Sequence, residues 1–197
     1  MTVVEQGMAG APSDWLMRWA QAWRERPGAT ALDLACGSGR HLALLAEAGL
    51  RVTGVDRDAQ ALATAAARAP AAELIAADIE QGPWPLAARR FDLVLVTHYL
   101  WRPLLPRIVD AVAPGGWLIY ETFAHGQQSV GRPSRPDFLL QPGELLRACE
   151  GLRIVAYEDG FLGAGHGGGV NERFVQRVAA VRAEAPEPGG FARYHLG

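Results

Sequence analysis

Residues 31–49, ALDLACGSGRHLALLAEAG, join a short apolar run, a glycine turn and a helical pattern. Ala31, Leu32, Leu34 and Ala35 make a run short enough for a buried strand. The chain then turns through Cys36-Gly37-Ser38-Gly39. Leu42, Leu45 and Ala46 follow at the spacing of one buried helix face, and Gly49 supplies the stop. Such a joint exposes bare backbone to a ligand. Glycine permits close approach and positive φ, and a helix N-terminus offers unpaired N–H groups and partial positive charge. Gly37 and Gly39 match two glycines of the G-x-G-x-x-G dinucleotide fingerprint, but Leu42 stands at the third position. Asp33 sits at the strand's end. A carboxylate there repels a pyrophosphate and suits a ligand carrying an ammonium group.

Downstream, the strand–helix alternation repeats. Arg51 to Asp56 reads as a second strand ending in an acid, about twenty residues past the glycine turn, where a carboxylate accepts both hydroxyl hydrogens of a ribose. Asp58 to Ala69 is a helix stopped by Pro70, and Glu73 to Asp78 is a third strand ending in an acid. Phe91 to Val96 is apolar on both faces, as a central parallel strand requires. A helix opens at Arg102-Pro103, with Pro106 still in its first turn, where a missing N–H is no loss. Pro114-Gly115-Gly116 ends it, and Trp117 to Thr122 is strand five. Residues 124–141 form a loop long enough to expect a function. A helix from Pro142 to Gly151 leads to two strands, Leu152 to Asp159 and Val170 to Val181. Upstream, Ser13 caps a helix that runs to Pro27-Gly28 and carries Trp15, Trp19 and Trp23 on one face. That face packs on the domain, covers a ligand cleft, or does both. The chain thus divides into a helical lid (1–28), a Rossmann-like α/β core (29–182) and a tail (183–197).

The run D-L-A-C-G-S-G resembles the first motif of class I S-adenosylmethionine (SAM) methyltransferases, with Ala35 where that family usually has glycine. A-P-G-G-W-L-I-Y-E resembles the family's turn into strand five, and the likeness extends from about Ala31 to Val181. The resemblance implies a mainly parallel seven-stranded sheet with a reversed last strand and helices on both faces. It also implies SAM as cofactor, held by Asp33, Ala35, Gly37, Gly39, Asp56, Arg57, Asp78, Ile79 and Thr97. Asp33 would meet the ammonium, the Gly37 turn amide the methionyl part, Asp56 the ribose, and Asp78 with Ile79 the adenine.

Methyl transfer is an in-line displacement from an activated donor, so alignment carries much of the catalysis. A general base matters only where the acceptor loses a proton. His98 and Tyr99, after strand four, are the leading candidates, with Glu121 and His125 after strand five beside them. Trp101, Phe123, Arg132 and Arg135 are the candidate acceptor contacts, with the two loop arginines turned toward an anion. Enzymes that methylate base amino groups commonly carry Asn/Asp-Pro-Pro-aromatic after strand four, whereas this chain has Thr97-His98-Tyr99-Leu100. The H-Y-L-x-R-P run and the loop after Y-E-T-F resemble small bacterial methyltransferases of the tellurite-resistance group. A small-molecule acceptor is the leading expectation. RNA or protein targets read through Arg89, Arg90, Arg132 and Arg135 are the alternative, and a SAM-binding partner module without turnover is the third reading.

Composition sets the outer bounds. At 197 residues the chain suits one domain with a full core. The net charge of −2 provides no global field to gather nucleic acid. All 19 basic residues are arginine, as GC-rich coding favours. Cys36 and Cys149 have no metal-ligand spacing, and free thiols suit a reducing cytoplasm. No apolar run reaches membrane-spanning length and no signal-peptide pattern opens the sequence, so a cytoplasmic location is expected. The oligomeric state and a metal requirement are not legible.

Overall fold

The structure is a computed structural model that describes residues 10–163, 172–184 and 192–196. Its centre is one seven-stranded sheet. In chain order the strands are β1 (Thr30–Leu34), β2 (Arg51–Asp56), β3 (Glu73–Ala76), β4 (Phe91–Thr97), β5 (Val112–Phe123), β6 (Arg153–Leu162) and β7 (Arg173–Val181). They lie in the order β3-β2-β1-β4-β5-β7-β6. The first five are parallel, whereas β7 runs antiparallel to both β5 and β6.

Parallel strands need covering on both faces, and the sequence supplies two apolar layers. On one face Leu32, Leu34, Val94, Val96, Leu118 and Val178 pack with Leu104, Ile108 and Leu145. The last two belong to helices α4 (Leu105–Asp110) and α5 (Glu144–Ala148). On the other face Ala31, Leu93, Leu95, Ile119 and Ala179 meet residues of α1 (Asp14–Arg18), α2 (Arg40–Glu47) and α3 (Ala59–Arg68). The crossover order reverses beside β1, between β2 on one flank and β4 on the other. Open sheets of this kind bind ligands at that switch point, beyond the carboxyl ends of the strands.

Several boundaries differ from the sequence reading. The tryptophan helix is not continuous: α1 stops at Arg18 and a short 3-10 turn, Ala20–Ala22, follows. A continuous α-helix would rotate Trp23 about 80° away from Trp15. The break lets all three indoles bury, and the Trp23 ring N–H donates to the Leu16 carbonyl at 3.2 Å. The core-packing reading of this face therefore holds. Strand β3 ends at Ala76, two residues short of Asp78, because Asp78 caps a turn with its side chain. Strand β5 begins at Val112, ahead of the Pro-Gly-Gly turn, with a register irregularity opposite Phe91 to Leu93. Strand β7 begins at Arg173, while the expected start at Val170 lies outside the described residues. In the C-terminal stretch, Tyr194 packs edge-on against Trp117, and the backbone of His195 hydrogen-bonds the Gln21 side chain. Among the described residues, no helix is long and apolar enough to cross a membrane.

Candidate active site

The glycine turn leaves β1 with three residues in the left-handed region: Ala35 at φ 56°, Gly37 at 52° and Gly39 at 77°. Ala35 thus occupies a conformation that favours glycine. A Cβ on Gly39 would stand 2.8 Å from the Ala65 Cβ in α3, so this glycine lets the turn touch the neighbouring helix. The bulk of Leu42, where the fingerprint has its third glycine, is absorbed elsewhere. Gly54 on β2 leaves room, since a Cβ there would come 2.9 Å from the Leu42 Cδ1. Cys36 is buried, and desolvation, with help from the Asp33 and Asp56 charges, drives its thiol pKa far up. That is the opposite of what a nucleophilic thiol needs.

Asp56 holds the turn. One carboxylate oxygen accepts the Gly37 N–H at 2.8 Å, and the other accepts the Asp58 N–H at 2.9 Å. The Gly37 amide expected to face a ligand is therefore engaged by Asp56, whose remaining lone pairs stay available. Asp33 is 1% exposed and points into the α1–α2 layer, with its Oδ2 3.6 Å from His41 Nδ1. That oxygen accepts no hydrogen bond among the described residues. Asp78 accepts the N–H groups of Glu80 and Gln81, and these bonds hold its carboxyl below the usual range. Arg57 is exposed and pairs with Glu80 at 3.8 Å. Ile79 belongs to the core and keeps only a narrow edge outside it.

Beyond β4 and β5 the chain builds an aromatic edge. His98, at φ 54°, stacks on Phe123 with ring centres 5.1 Å apart. Its N–H donates to the Glu121 carbonyl at 3.0 Å. Burial pushes the imidazolium pKa down to about 4; Glu121 opposes this, and the Arg40 and Arg173 cations add to it. At neutral pH the ring is uncharged, and its bare nitrogen can accept a hydrogen bond. Thr97 receives a long 3.5 Å hydrogen bond from Arg40. The Tyr99 hydroxyl is buried without a well-formed hydrogen bond, among Glu80, Arg57 and Asp78, and its pKa is driven up by burial first. It therefore belongs to the β3 side of the cleft, away from the His98–Phe123 pair. Trp101 packs half-buried on the core.

The two loop arginines depart from expectation. Arg132 is exposed, and Arg135 pairs with Asp137 at 2.9 Å while covering the Phe138 ring. The loop is anchored instead by Arg102. Its guanidinium grips Glu144 at 2.6 and 3.0 Å and donates to the Asp137 and Leu139 carbonyls, both at 2.8 Å.

The sequence reading missed a buried polar chain on the α1 side. The Ser13 N–H donates to His41 Nε2 at 3.1 Å, and the Ser13 hydroxyl donates to Glu121. Because Nε2 accepts, the ring proton of His41 lies on Nδ1, toward Asp33. Glu121 pairs with Arg177 at 3.1 Å, and Arg177 with Glu158 at 3.5 Å. Arg173 lies on the same face of β7 as Arg177 and was also missed. The available signal was charge on an alternation face otherwise filled by Val175, Ala179 and Val181.

A parallel sheet with a reversed last pair, a glycine turn after β1 and acids at or just past the carboxyl ends of β1, β2 and β3 define a class I methyltransferase fold. Residues 31–116 match the family described as methyltransferase domain. A trans-aconitate 2-methyltransferase of Paracidovorax citrulli is 38% identical over 112 residues, covering 53% of this chain and 42% of that protein. A ubiquinone biosynthesis O-methyltransferase of Paraburkholderia phytofirmans is 31% identical over 121 residues, covering 57% and 52%. The chain spans about half the length of the curated relatives it matches. Among solved structures, TehB of Haemophilus influenzae aligns with a TM-score of 0.68 at 19% identity, covering 89% of this chain and 63% of that one. A SAM-dependent methyltransferase of Mesorhizobium loti aligns at 0.66 and 20% identity, covering 85% and 97%. At such identities the structural likeness establishes the fold.

Proposed function

We propose that this chain is a SAM-dependent methyltransferase acting on a small-molecule acceptor. The observation that carries the reading is the set of three carboxylates, Asp33 and Asp56 at the carboxyl ends of β1 and β2 and Asp78 just past β3, around the glycine turn. A cationic nucleoside fits this set. The buried Asp33 Oδ2 lacks a hydrogen bond among the described residues, and an ammonium, directly or through water, would supply one. Asp56 has acceptor capacity left for ribose hydroxyls after holding the turn. Asp78 faces the exocyclic amine of adenine, with the exposed edge of Ile79 against the ring and Arg57 at the rim. Ala35, Gly37 and Gly39 let the backbone approach the methionyl chain, and Thr97 closes the cradle on the β4 side.

SAM supplies a methyl group on a sulfonium that needs no further activation. The chain's own residues then hold the acceptor in line and keep water out. His98 and Phe123 form the wall nearest the acceptor, and the neutral imidazole accepts a hydrogen bond from it; with its pKa held near 4 it orients the acceptor more than it deprotonates it. Tyr99 serves the adenine side of the cleft. Trp101 shapes the floor, and Arg102 fixes the loop that closes it. Arg132 and Arg135, exposed or already paired, lose their place as leading acceptor contacts. A small acceptor also suits the curated relatives, whose names are those of small-molecule methyltransferases.

Calorimetry with S-adenosylhomocysteine and NAD tests the reading. S-adenosylhomocysteine should bind in the micromolar range and NAD at least tenfold more weakly. Tight NAD binding without S-adenosylhomocysteine binding would refute it.

A further inference from the structure

Arg173 opens β7, two residues before Val175, which pairs with Phe123 at the end of β5. The guanidinium thereby stands at the carboxyl edge of the sheet, beside the His98–Phe123 wall. Strand alternation sets it on the face that also carries Glu121 and Arg177. The residue is only 7% exposed. Its Nε is fully buried without a hydrogen bond, and no acidic side chain among the described residues pairs with it. Arg177, four residues on, also buries nitrogens without a well-formed hydrogen bond, but it has Glu121 at 3.1 Å and Glu158 at 3.5 Å. Buried guanidinium groups are ordinarily paired, because an uncompensated charge away from water is costly. Glu121 takes the Ser13 hydroxyl and stands in ion-pair range of Arg177, and it forms no ion pair with Arg173.

We infer that Arg173 is the anchor for a carboxylate group of the methyl acceptor, so that the acceptor is a small carboxylic acid. This rests on the methyltransferase reading for the other half of the cleft. The planar fork of arginine matches a carboxylate edge with two parallel N–H donors. One guanidinium without an acid among the described residues balances one negative charge, which favours a carboxylate over a dianionic phosphate. His98, which is next to it, stays uncharged, and the other arginine acting on that ring, Arg40, already donates to Thr97. The anchored carboxylate is a handle and not the reacting group. Methylating it would erase the charge that Arg173 binds and oppose the transition state. The reacting atom instead lies toward His98.

The test uses the full chain saturated with S-adenosylhomocysteine. Acetate, succinate, trans-aconitate and inorganic phosphate are titrated into the wild type, Arg173→Met and Arg173→Lys. At least one carboxylate should bind the wild type. Arg173→Met should weaken it tenfold or more, Arg173→Lys by a few-fold, and neither should change the affinity for S-adenosylhomocysteine. The ligand-free Arg173→Met protein should melt no lower than the wild type, since a buried unpaired cation has been removed. The inference falls if no carboxylate binds, if phosphate alone binds, or if Arg173→Met binds the carboxylate like the wild type. A drop in melting temperature together with loss of both ligands would make Arg173 structural and also overturn it. If S-adenosylhomocysteine fails to bind but a carboxylate still depends on Arg173, the anion site stands and the donor reading falls.

Discussion

Replacing Asp56 with alanine should damage two things at once, and the two are separable. The carboxylate accepts the Gly37 N–H at 2.8 Å and the Asp58 N–H at 2.9 Å. Hydrogen bonds to a charged group contribute about 1.5–3 kcal/mol each, less where water can take over. Asp56 is half-buried, so water replaces part of this and a total loss of about 2–3 kcal/mol is expected. For a domain of this size, that lowers Tm by about 4–12 °C. The same carboxylate is assigned the ribose hydroxyls, so affinity for S-adenosylhomocysteine should drop by a further 1.5–3 kcal/mol, about ten- to hundredfold. Thermal melting reads the first effect, and calorimetry well below the mutant's Tm reads the second. Asp56→Asn should fall between, because its amide has one oxygen and would present an NH2 to one of the two backbone donors. An unchanged Tm in Asp56→Ala would refute the turn-holding role. A folded mutant with unchanged affinity would refute the ribose role.

Three further outcomes are expected. Gly39→Ala should lose about 2–4 kcal/mol in denaturant unfolding, combining left-handed strain with a clash, since a Cβ there stands 3.0 Å from the Ala65 backbone; wild-type stability would contradict the close approach of turn and α3. His98 carries its proton more weakly in the folded state, with a pKa near 4 against the ordinary 6.5, so the unfolded chain binds the extra proton between those values. Its contribution to stability is therefore complete above about pH 6.5 and lost as pH falls toward 4, at up to about 1.4 kcal/mol per pH unit. His98→Asn, which tolerates the left-handed backbone, should unfold with a flatter pH dependence in that window; identical slopes would show that the imidazole is not desolvated. Finally, burial drives the Cys36 thiol pKa far up and that of Cys149 up to about 12, so a thiol reagent at pH 8 should label neither rapidly until the chain is unfolded. Fast labelling of the native protein would contradict their burial.

Much of this fold was legible because it rests on local patterns. The apolar runs at β1, β4 and β5, the acids at or just past the carboxyl ends of β1, β2 and β3, and the glycine turn are all contiguous in sequence. Their spacing carries the parallel order and the switch point. Boundaries were less legible where a side chain intervenes. Asp78 ends β3 early because its carboxylate competes for the backbone N–H groups of Glu80 and Gln81. The tryptophan helix breaks because burying three indoles outweighs continuing an α-helical turn.

The acceptor half of the site was less legible for a different reason. Loop arginines flanked by prolines attract attention in a linear reading, yet an exposed guanidinium finds the nearest carboxylate, as Arg135 does two residues away at Asp137. The informative charge is the one that cannot do so. Arg173 and Arg177 stand four residues apart on one face of a strand whose other members there are Val175, Ala179 and Val181. Alternation alone buries both, and a buried cation must find an anion or remain costly. Glu121, on the facing strand in register with Arg177, accounts for one of them. No acid stands in register to account for the other: the partner of Arg173 on β6 is Leu162. The strand pairing therefore determines which arginine meets an acid across the sheet and which does not among the described residues, and that pairing spans about fifty residues of chain between β5 and β7. A one-residue shift of β7 against β5 would turn both arginines to the opposite face and dismantle the Glu121 pair together with the proposed anchor. Conservative replacement of Glu121 by glutamine should accordingly weaken the hold on Arg177 while leaving the carboxylate dependence on Arg173 in place.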